Sequence, residues 1–119
     1  MKKKDTVKNN SLFNDVINKG EKINTKYFVI SKMKYNNPSP LFGVAVGKKV
    51  GNAVIRNKIK RQIRNIIDNN KQIFQNNYIY IIIGKKNCLN ASFKNMNDSL
   101  KDSLLKGDKN LWKIKYVPY

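Results

Sequence analysis

The stretch Gly43-Val-Ala-Val-Gly-Lys-Lys-Val-Gly-Asn-Ala-Val-Ile-Arg-Asn-Lys-Ile-Lys-Arg-Gln-Ile-Arg-Asn65 organises the whole chain. It continues a short apolar run, Leu41–Val46, which predicts a strand with Gly47 closing it. A tight connection follows, and Asn52 is of the residue type that caps the N-terminus of a helix. The sequence therefore predicts a strand, a basic turn and a helix over residues 52–68.

The predicted helix has an apolar side and a basic side. At about 100° per residue, its isoleucines gather on one side, at Ile55, Ile59, Ile63, Ile66 and Ile67. The opposite side carries four cations and an amide, from Arg56, Asn57, Lys60, Arg61 and Arg64. We expect the apolar side to pack on a sheet and the basic side to face outward.

Two features favour a nucleic-acid contact over an ordinary solvated helix face. A solvated face usually mixes both signs of charge, whereas the first acid along this helix is Asp68, at its far end. The only arginines among the 25 basic residues are at positions 56, 61 and 64, and arginine binds phosphate through a planar fork that lysine lacks. Abundant Lys, Asn and Ile is typical of AT-rich genomes, yet that drift would also have replaced these arginines.

The composition favours a polyanionic partner. A net charge of +18 opposes a compact state through repulsion, and nucleic acid would relieve it. An anionic membrane is the competing partner, but no apolar run is long enough to span a bilayer and the basic helix lacks a Trp/Phe/Leu face. No apolar segment follows the basic N-terminus as in a signal peptide, so we expect a cytoplasmic protein without a membrane partner.

The residues that usually perform catalysis are scarce. Cys88 is the only cysteine and there is no histidine, which excludes an internal disulfide, a cysteine zinc cluster and the commonest general base. The seven acids are scattered, at Asp5, Asp15, Glu21, Asp68, Asp98, Asp102 and Asp108. A carboxylate metal nuclease needs several converging acids, so we assign no catalytic residue, no metal ligand and no cofactor to the polypeptide alone. A stand-alone ribonuclease is disfavoured.

The flanking segments predict two further helices. Asn9, Asn10 or Ser11 can cap a first helix that ends at Lys19-Gly20, and one side of it carries Phe13, Val16 and Ile17. A third helix opens at Asn90 or Ser92 and ends at Gly107, with a core stripe of Phe93, Met96, Leu100 and Leu104. Trp112 and Tyr116, beyond it, are expected to pack back on the domain.

Two further strands complete the prediction. Residues 22–25 are expected to be a connection and residues 26–34 a strand, followed by an Asn/Pro/Ser turn from which Leu41–Val46 can pair back as a hairpin. Residues 78–83 are the most apolar run and predict a buried central strand. The order of elements predicts an α+β fold, a two-layer sandwich of helices on a mixed sheet, in one domain over residues 1–119 with a flexible basic tail over 1–8.

Residues 49–64 resemble the signature of the protein subunit of bacterial ribonuclease P. That family's pattern is Lys-x-Gly-x-Ala-Val-x-Arg-Asn-x-x-x-Arg-x-x-Arg, and all eight fixed positions match. The family often has arginine directly after the Arg-Asn pair, where this chain has Lys58, which the helical spacing places off the main basic side.

The resemblance implies a fold and a function. The fold has a left-handed crossover through the central helix, against the usual right-handed rule, and its shape is shared with an RNA-binding domain of a small-subunit ribosomal protein. In ribonuclease P, the RNA subunit uses Mg²⁺ to remove the 5′ leader of precursor tRNA, so the implied partners are that catalytic RNA and precursor tRNA, with no DNA partner expected.

The resemblance also implies roles for individual residues. The RNA contacts would be Lys48, Lys49, Asn52, Arg56, Asn57, Lys58, Lys60, Arg61 and Arg64. A cleft for the single-stranded leader would be lined by Phe13, Ile17, Tyr27 and Val29. The family often has an aromatic residue where Ser31 stands, which implies weaker stacking at that position.

Alternatives remain open from the sequence alone. The aromatic residues near the first helix and strand suit either base stacking or a small core. A ribosomal-type RNA-binding protein with no processing role would share the charge and the shape, and only the central signature separates the two functions.

Overall fold

The computed structural model describes residues 5–7 and 9–107. The helices of this part of the chain are Asn10–Lys19 (α1), Ala53–Asn69 (α2) and Phe93–Gly107 (α3). The strands are Glu21–Asn24 (β1), Phe28–Lys34 (β2), Leu41–Val46 (β3) and Tyr78–Gly84 (β4). The α+β class and the positions of all three helices are confirmed. None of these helices is long and apolar enough to cross a bilayer.

The four strands form one mixed sheet in the order β1-β2-β4-β3. β4 pairs antiparallel with β2 and parallel with β3, so β3, α2 and β4 form a βαβ unit. The predicted hairpin between residues 26–34 and Leu41–Val46 is therefore wrong, because β4 lies between β2 and β3. β4 is apolar on both faces, and Ile79, Ile81 and Ile82 are fully buried only in a central position. The left-handed sense of the crossover stays a prediction.

β1 occupies a segment that the sequence predicted as a connection. It pairs antiparallel with β2, with Ile23 opposite Ile30. Only Ile23 of its four residues is packed against the core, and the other three are exposed. An edge strand with a single apolar residue gives almost no alternating pattern, which explains why the sequence did not show it.

The helices cover both faces of the sheet. α2 and α3 pack on the face that carries Phe28, Ile30 and Ile82, and they form the larger core. α1 packs on the opposite face, where Val16 contacts the smaller cluster of Ile79 and Ile81. The predicted single layer of helices is thus divided between two faces, because β4 needs cover on both sides. Phe93, predicted as core, stays 38% exposed at the start of α3.

Side chains and close approaches define the helix ends. Asn9 Oδ1 accepts hydrogen bonds from the backbone N–H groups of Ser11 (2.8 Å) and Leu12 (3.4 Å), and Asn52 caps α2 in the same way. α1 stops at Gly20, where a Cβ atom would lie 2.4 Å from the Val16 carbonyl oxygen. Any other residue there would push α1 away from the sheet.

The N-terminal residues that the structure describes are packed. The Asp5 side chain is buried beside Lys71, and Val7 N donates a 2.9 Å hydrogen bond to the carbonyl of Phe42. Residues 6 and 7 thus lie against the open edge of β3, which offers backbone groups for pairing, and the flexibility of the tail over residues 1–8 stays a prediction. Residues 1–4, Lys8 and the predicted packing of Trp112 and Tyr116 lie outside the described residues.

Candidate nucleic-acid interface

The packing of α2 fixes which side of the helix faces outward. Its isoleucines at positions 59, 63, 66 and 67 are buried against the sheet and α3. The basic side consequently faces away from the core, with Asn57, Arg61 and Arg64 exposed and Arg56 and Lys60 half-buried. The predicted division of this helix into an apolar and a basic side is confirmed except at Ile55, which is 37% exposed in the first turn of α2.

Arg56 is held in place by the turn that precedes α2. Its Nε donates a 3.1 Å hydrogen bond to the backbone carbonyl of Gly51. This contact leaves the two terminal nitrogens of the guanidinium for an outside acceptor, in a geometry that matches a phosphate. Asn52, predicted as an RNA contact, uses its side-chain oxygen to cap the helix at Ile55 N (3.0 Å), so its demonstrable role is structural.

The charge of α2 is not balanced within the described part of the chain. The ion pairs of the described residues join Lys19 to Asp15, and Lys71 to Asp5 and to Asp68. None of them includes a cation of the basic side of α2. Unpaired cations concentrated on one exposed side attract a polyanion and raise its association rate.

Three further lysines predicted as RNA contacts flank the helix. Lys48 and Lys49 are exposed in the single helical turn that joins β3 to α2. Lys58 lies to one side, where it lines a groove of about 220 Å³ together with Leu89. The groove confirms that Lys58 is off the main basic side.

The predicted leader cleft lies on the other face of the sheet. Phe13 and Ile17 are half-buried on the side of α1 that packs against Ile79 and Ile81. Val29 is half-buried and, by strand alternation with the core residue Ile30, lies on this same face. The structure thus brings three of the four predicted cleft residues to one face.

Ser31 and Tyr27 differ from the other residues near this cleft. Ser31 is fully buried, and its hydroxyl has no hydrogen-bond partner among the described residues. Tyr27 is not brought to the cleft, because β2 begins one residue later and the alternation does not extend into the turn. Its ring packs instead toward the larger core, edge-on to Phe28 with the ring centroids 6.2 Å apart.

A cavity of about 260 Å³ connects the cleft with the basic helix. Phe13 lines it from α1 and Arg64 from α2, and the edge of β3 lies between them. A Cβ at Gly43 would lie 2.6 Å from Ile81 Cδ1 and 2.9 Å from Phe13 Cε2, so glycine is needed for this approach of α1. Sequence reasoning missed the other lining residues, Thr6, Val7, Gly43 and Val44.

The described acids do not form a metal site. Among the residues that the structure describes, no three His, Cys, Asp or Glu side chains converge as metal ligands. The groups on this surface can bind and orient an anionic polymer.

Comparison with known proteins identifies the family. The model of the ribonuclease P family matches residues 1–107. The chain belongs to the ribonuclease P protein family. The ribonuclease P protein component of Bacillus mycoides is 38% identical over 101 residues, which cover 84% of this chain and 88% of that protein.

Solved structures of the family share the fold. The Staphylococcus aureus RNase P protein, in a mutant with defective mRNA degradation activity, superimposes with a TM-score of 0.80 at 30% identity and 90% coverage of both chains. The Thermotoga maritima RNase P protein gives a TM-score of 0.72 at 26% identity, over 79% of this chain and 89% of that one. Membership places this chain among components of an endoribonuclease complex that processes tRNA.

Proposed function

We propose that this chain is the protein subunit of a ribonuclease P and that the basic side of α2 binds the catalytic RNA. The observation that carries the proposal is the row of arginines at 56, 61 and 64, outward-facing and without ion pairs in the described part of the chain. Each guanidinium can bind a phosphate through two parallel hydrogen bonds or stack on a base.

The single-stranded leader of precursor tRNA binds in the cleft between α1 and the sheet. Phe13 and Ile17 present apolar surface there, which suits bases that are not paired. The cavity shared by Phe13 and Arg64 supports this assignment, because one RNA strand can pass from the cleft to the basic helix without leaving the protein surface. The buried Ser31 offers no platform for a base.

The protein assists cleavage but does not perform it. The Mg²⁺ that the family's reaction uses would be held by the catalytic RNA, since the acids described here do not converge and two of them, Asp5 and Asp68, lie beside Lys71. The side chains of α2 neutralise phosphates that would otherwise repel each other, so less Mg²⁺ is needed to bring the RNAs together.

A cleavage assay tests the proposal. Precursor tRNA is incubated with bacterial ribonuclease P RNA at a Mg²⁺ concentration too low for the RNA alone, with and without this protein. We expect cleavage at the leader junction only with both components. Lack of stimulation would favour a ribosomal-type RNA-binding role, and turnover by rigorously purified protein alone would overturn the non-catalytic role.

A further inference from the structure

A second cavity lies outside the surfaces described so far. Its volume is about 300 Å³, at the small end of the range for ligand sites. It is lined by residues from the turn between β1 and β2 and from the helical turn after β4, namely Lys26, Tyr27, Lys86, Asn87, Leu89 and Asn90.

Hydrogen bonds between the two segments preform this cavity. Lys85 N donates to the Tyr27 carbonyl at 2.8 Å, and Asn87 Nδ2 donates to the Lys26 carbonyl, also at 2.8 Å. Burial raises the pKa of the Cys88 thiol, which stays protonated and donates to the same Tyr27 carbonyl at 3.3 Å. Segments sixty residues apart are therefore held in fixed relative positions before any ligand arrives.

The turn that carries Tyr27 is fixed as well. Thr25 Oγ1 accepts hydrogen bonds from Tyr27 N at 3.2 Å and Phe28 N at 2.9 Å. The Lys85 ammonium donates to Asn24 Oδ1 and to the Thr25 carbonyl. The aromatic ring thus stands on a rigid support, as a stacking platform must.

The lining of the cavity selects an anion with an aromatic part. Lys26 and Lys86 line it, and no carboxylate of the described residues does. The Lys26 ammonium lies 5.5 Å from the centroid of the Tyr27 ring. A base that stacks on the ring would displace the Lys26 ammonium, which could then bind the phosphate next to that base. The side-chain amides of Asn87 and Asn90 can donate hydrogen bonds to the edge of the base or accept them from it.

The cavity adjoins the basic helix. Leu89 lines it and also lines the groove that contains Lys58 and Gln62 of α2. Lys58, which is off the main basic side, therefore lies between the arginines and this cavity. An RNA strand bound to α2 has a cationic route to it.

We propose that this cavity binds one unpaired nucleotide of an RNA strand, with the base against Tyr27 and a phosphate between Lys26 and Lys86. The inference rests on the proposed function, which brings RNA to the adjoining helix. The nucleotide comes either from the catalytic RNA or from the leader of precursor tRNA, and the two sources offer the same chemistry.

The first test removes the two charges. The variant Lys26→Gln/Lys86→Gln is compared with Lys94→Gln/Lys101→Gln, which removes two charges from exposed positions on α3. Binding is measured to the catalytic RNA alone, and to precursor and mature tRNA in its presence. We expect the cavity variant to bind at least fivefold more weakly than the control, with a salt slope lower by about 0.7, the value for one single-strand phosphate contact.

The second test probes the ring. We expect Tyr27→Phe to bind within twofold of the unchanged protein and Tyr27→Leu about tenfold more weakly, because a flat ring stacks on a base and a branched chain does not. Thermal melting accompanies both variants, and comparison with the charge variants, which leave Tyr27 packing intact, separates lost stacking from lost stability.

The three RNAs identify the source. Weaker binding to the catalytic RNA alone assigns the nucleotide to that RNA, and weaker binding to precursor but not mature tRNA assigns it to the leader. If the cavity variants bind every RNA as tightly as the control does, and the unchanged protein still stimulates cleavage, the inference is overturned and the proposed function stands. If the unchanged protein neither binds the catalytic RNA nor stimulates cleavage, the proposed function itself fails.

Discussion

α1 and α2 have the same construction and opposite outer surfaces. Each is capped by an asparagine side chain and packs an apolar side on one face of the sheet. On α1, Asp15 and Lys19 form an ion pair with Nζ and Oδ1 3.9 Å apart. On α2, the outward cations have no acid beside them in the described residues. The difference is that the charge of α1 is balanced within the chain, whereas the outward charge of α2 is balanced, under the proposed function, by RNA.

The two helices also differ in how they meet RNA under the proposed function. α2 presents its outer side, so substitutions there change binding without touching the core. α1 contributes half-buried residues, Phe13 and Ile17, that belong to the cleft and to the packing at once. Substitutions on α1 therefore need a stability control that those on α2 do not.

Salt should produce the largest effect. The four cations on the basic side of α2 are Arg56, Lys60, Arg61 and Arg64. At about 0.7 to 0.9 each they give a log–log slope close to −3, so affinity for the catalytic RNA should fall about 60-fold between 50 and 200 mM salt. Changing the four to glutamine should flatten the slope by about that amount, whereas Asp15→Asn on α1 should leave it unchanged. A slope that is the same in all three proteins would show that α2 is not the binding surface.

The identity of the arginines should matter next. The triple variant Arg56→Lys, Arg61→Lys and Arg64→Lys keeps the net charge at +18 and the helix propensity. It should nevertheless bind the catalytic RNA at least tenfold more weakly, about 1.4 kcal/mol, because the bidentate fork is lost. The control changes Lys2, Lys3 and Lys4 to arginine and should show no comparable change. Equal affinity of the triple variant and the unchanged protein would show that the arginines act only through their positive charge.

A smaller effect should distinguish cleft from core on α1. Phe13→Ala should weaken binding of precursor tRNA about fivefold through lost stacking and leave mature tRNA within twofold, because only the precursor has a leader. Val16→Ala, at a fully buried position, should instead lose about 2 kcal/mol of stability and affect both tRNAs equally. If Phe13→Ala loses about 3–5 kcal/mol and affects both tRNAs equally, Phe13 is plain core.

The smallest effect should come from the outer side of α1. The Asp15–Lys19 pair is exposed, so Asp15→Asn should change the free energy of unfolding by less than about 0.5 kcal/mol. RNA affinity should stay within twofold. A larger loss of affinity would mean that both helices, rather than α2 alone, present an outer binding surface.

The sequence by itself determined α2 and β4. The two sides of α2 follow from a periodicity that repeats within one helix, and the match of residues 49–64 to the family signature is equally local. β4 was predicted as central because an uninterrupted apolar run has to be covered on both faces. Such features depend on neighbours in the chain, so a single sequence displays them.

Only the tertiary structure decided the strand order, the core against which Tyr27 packs, and the two cavities that Phe13 and Tyr27 line. β3 pairs with β4 rather than with β2, although the β2–β3 connection is shorter. In this arrangement the apolar strand β4 has a neighbouring strand on each edge. Tyr27 faces the larger core because β2 begins at Phe28, which no local pattern marks. Lys26 meets Asn87, and Phe13 meets Arg64, across long stretches of chain. Such contacts depend on which surfaces are buried together, and that is a property of the whole fold.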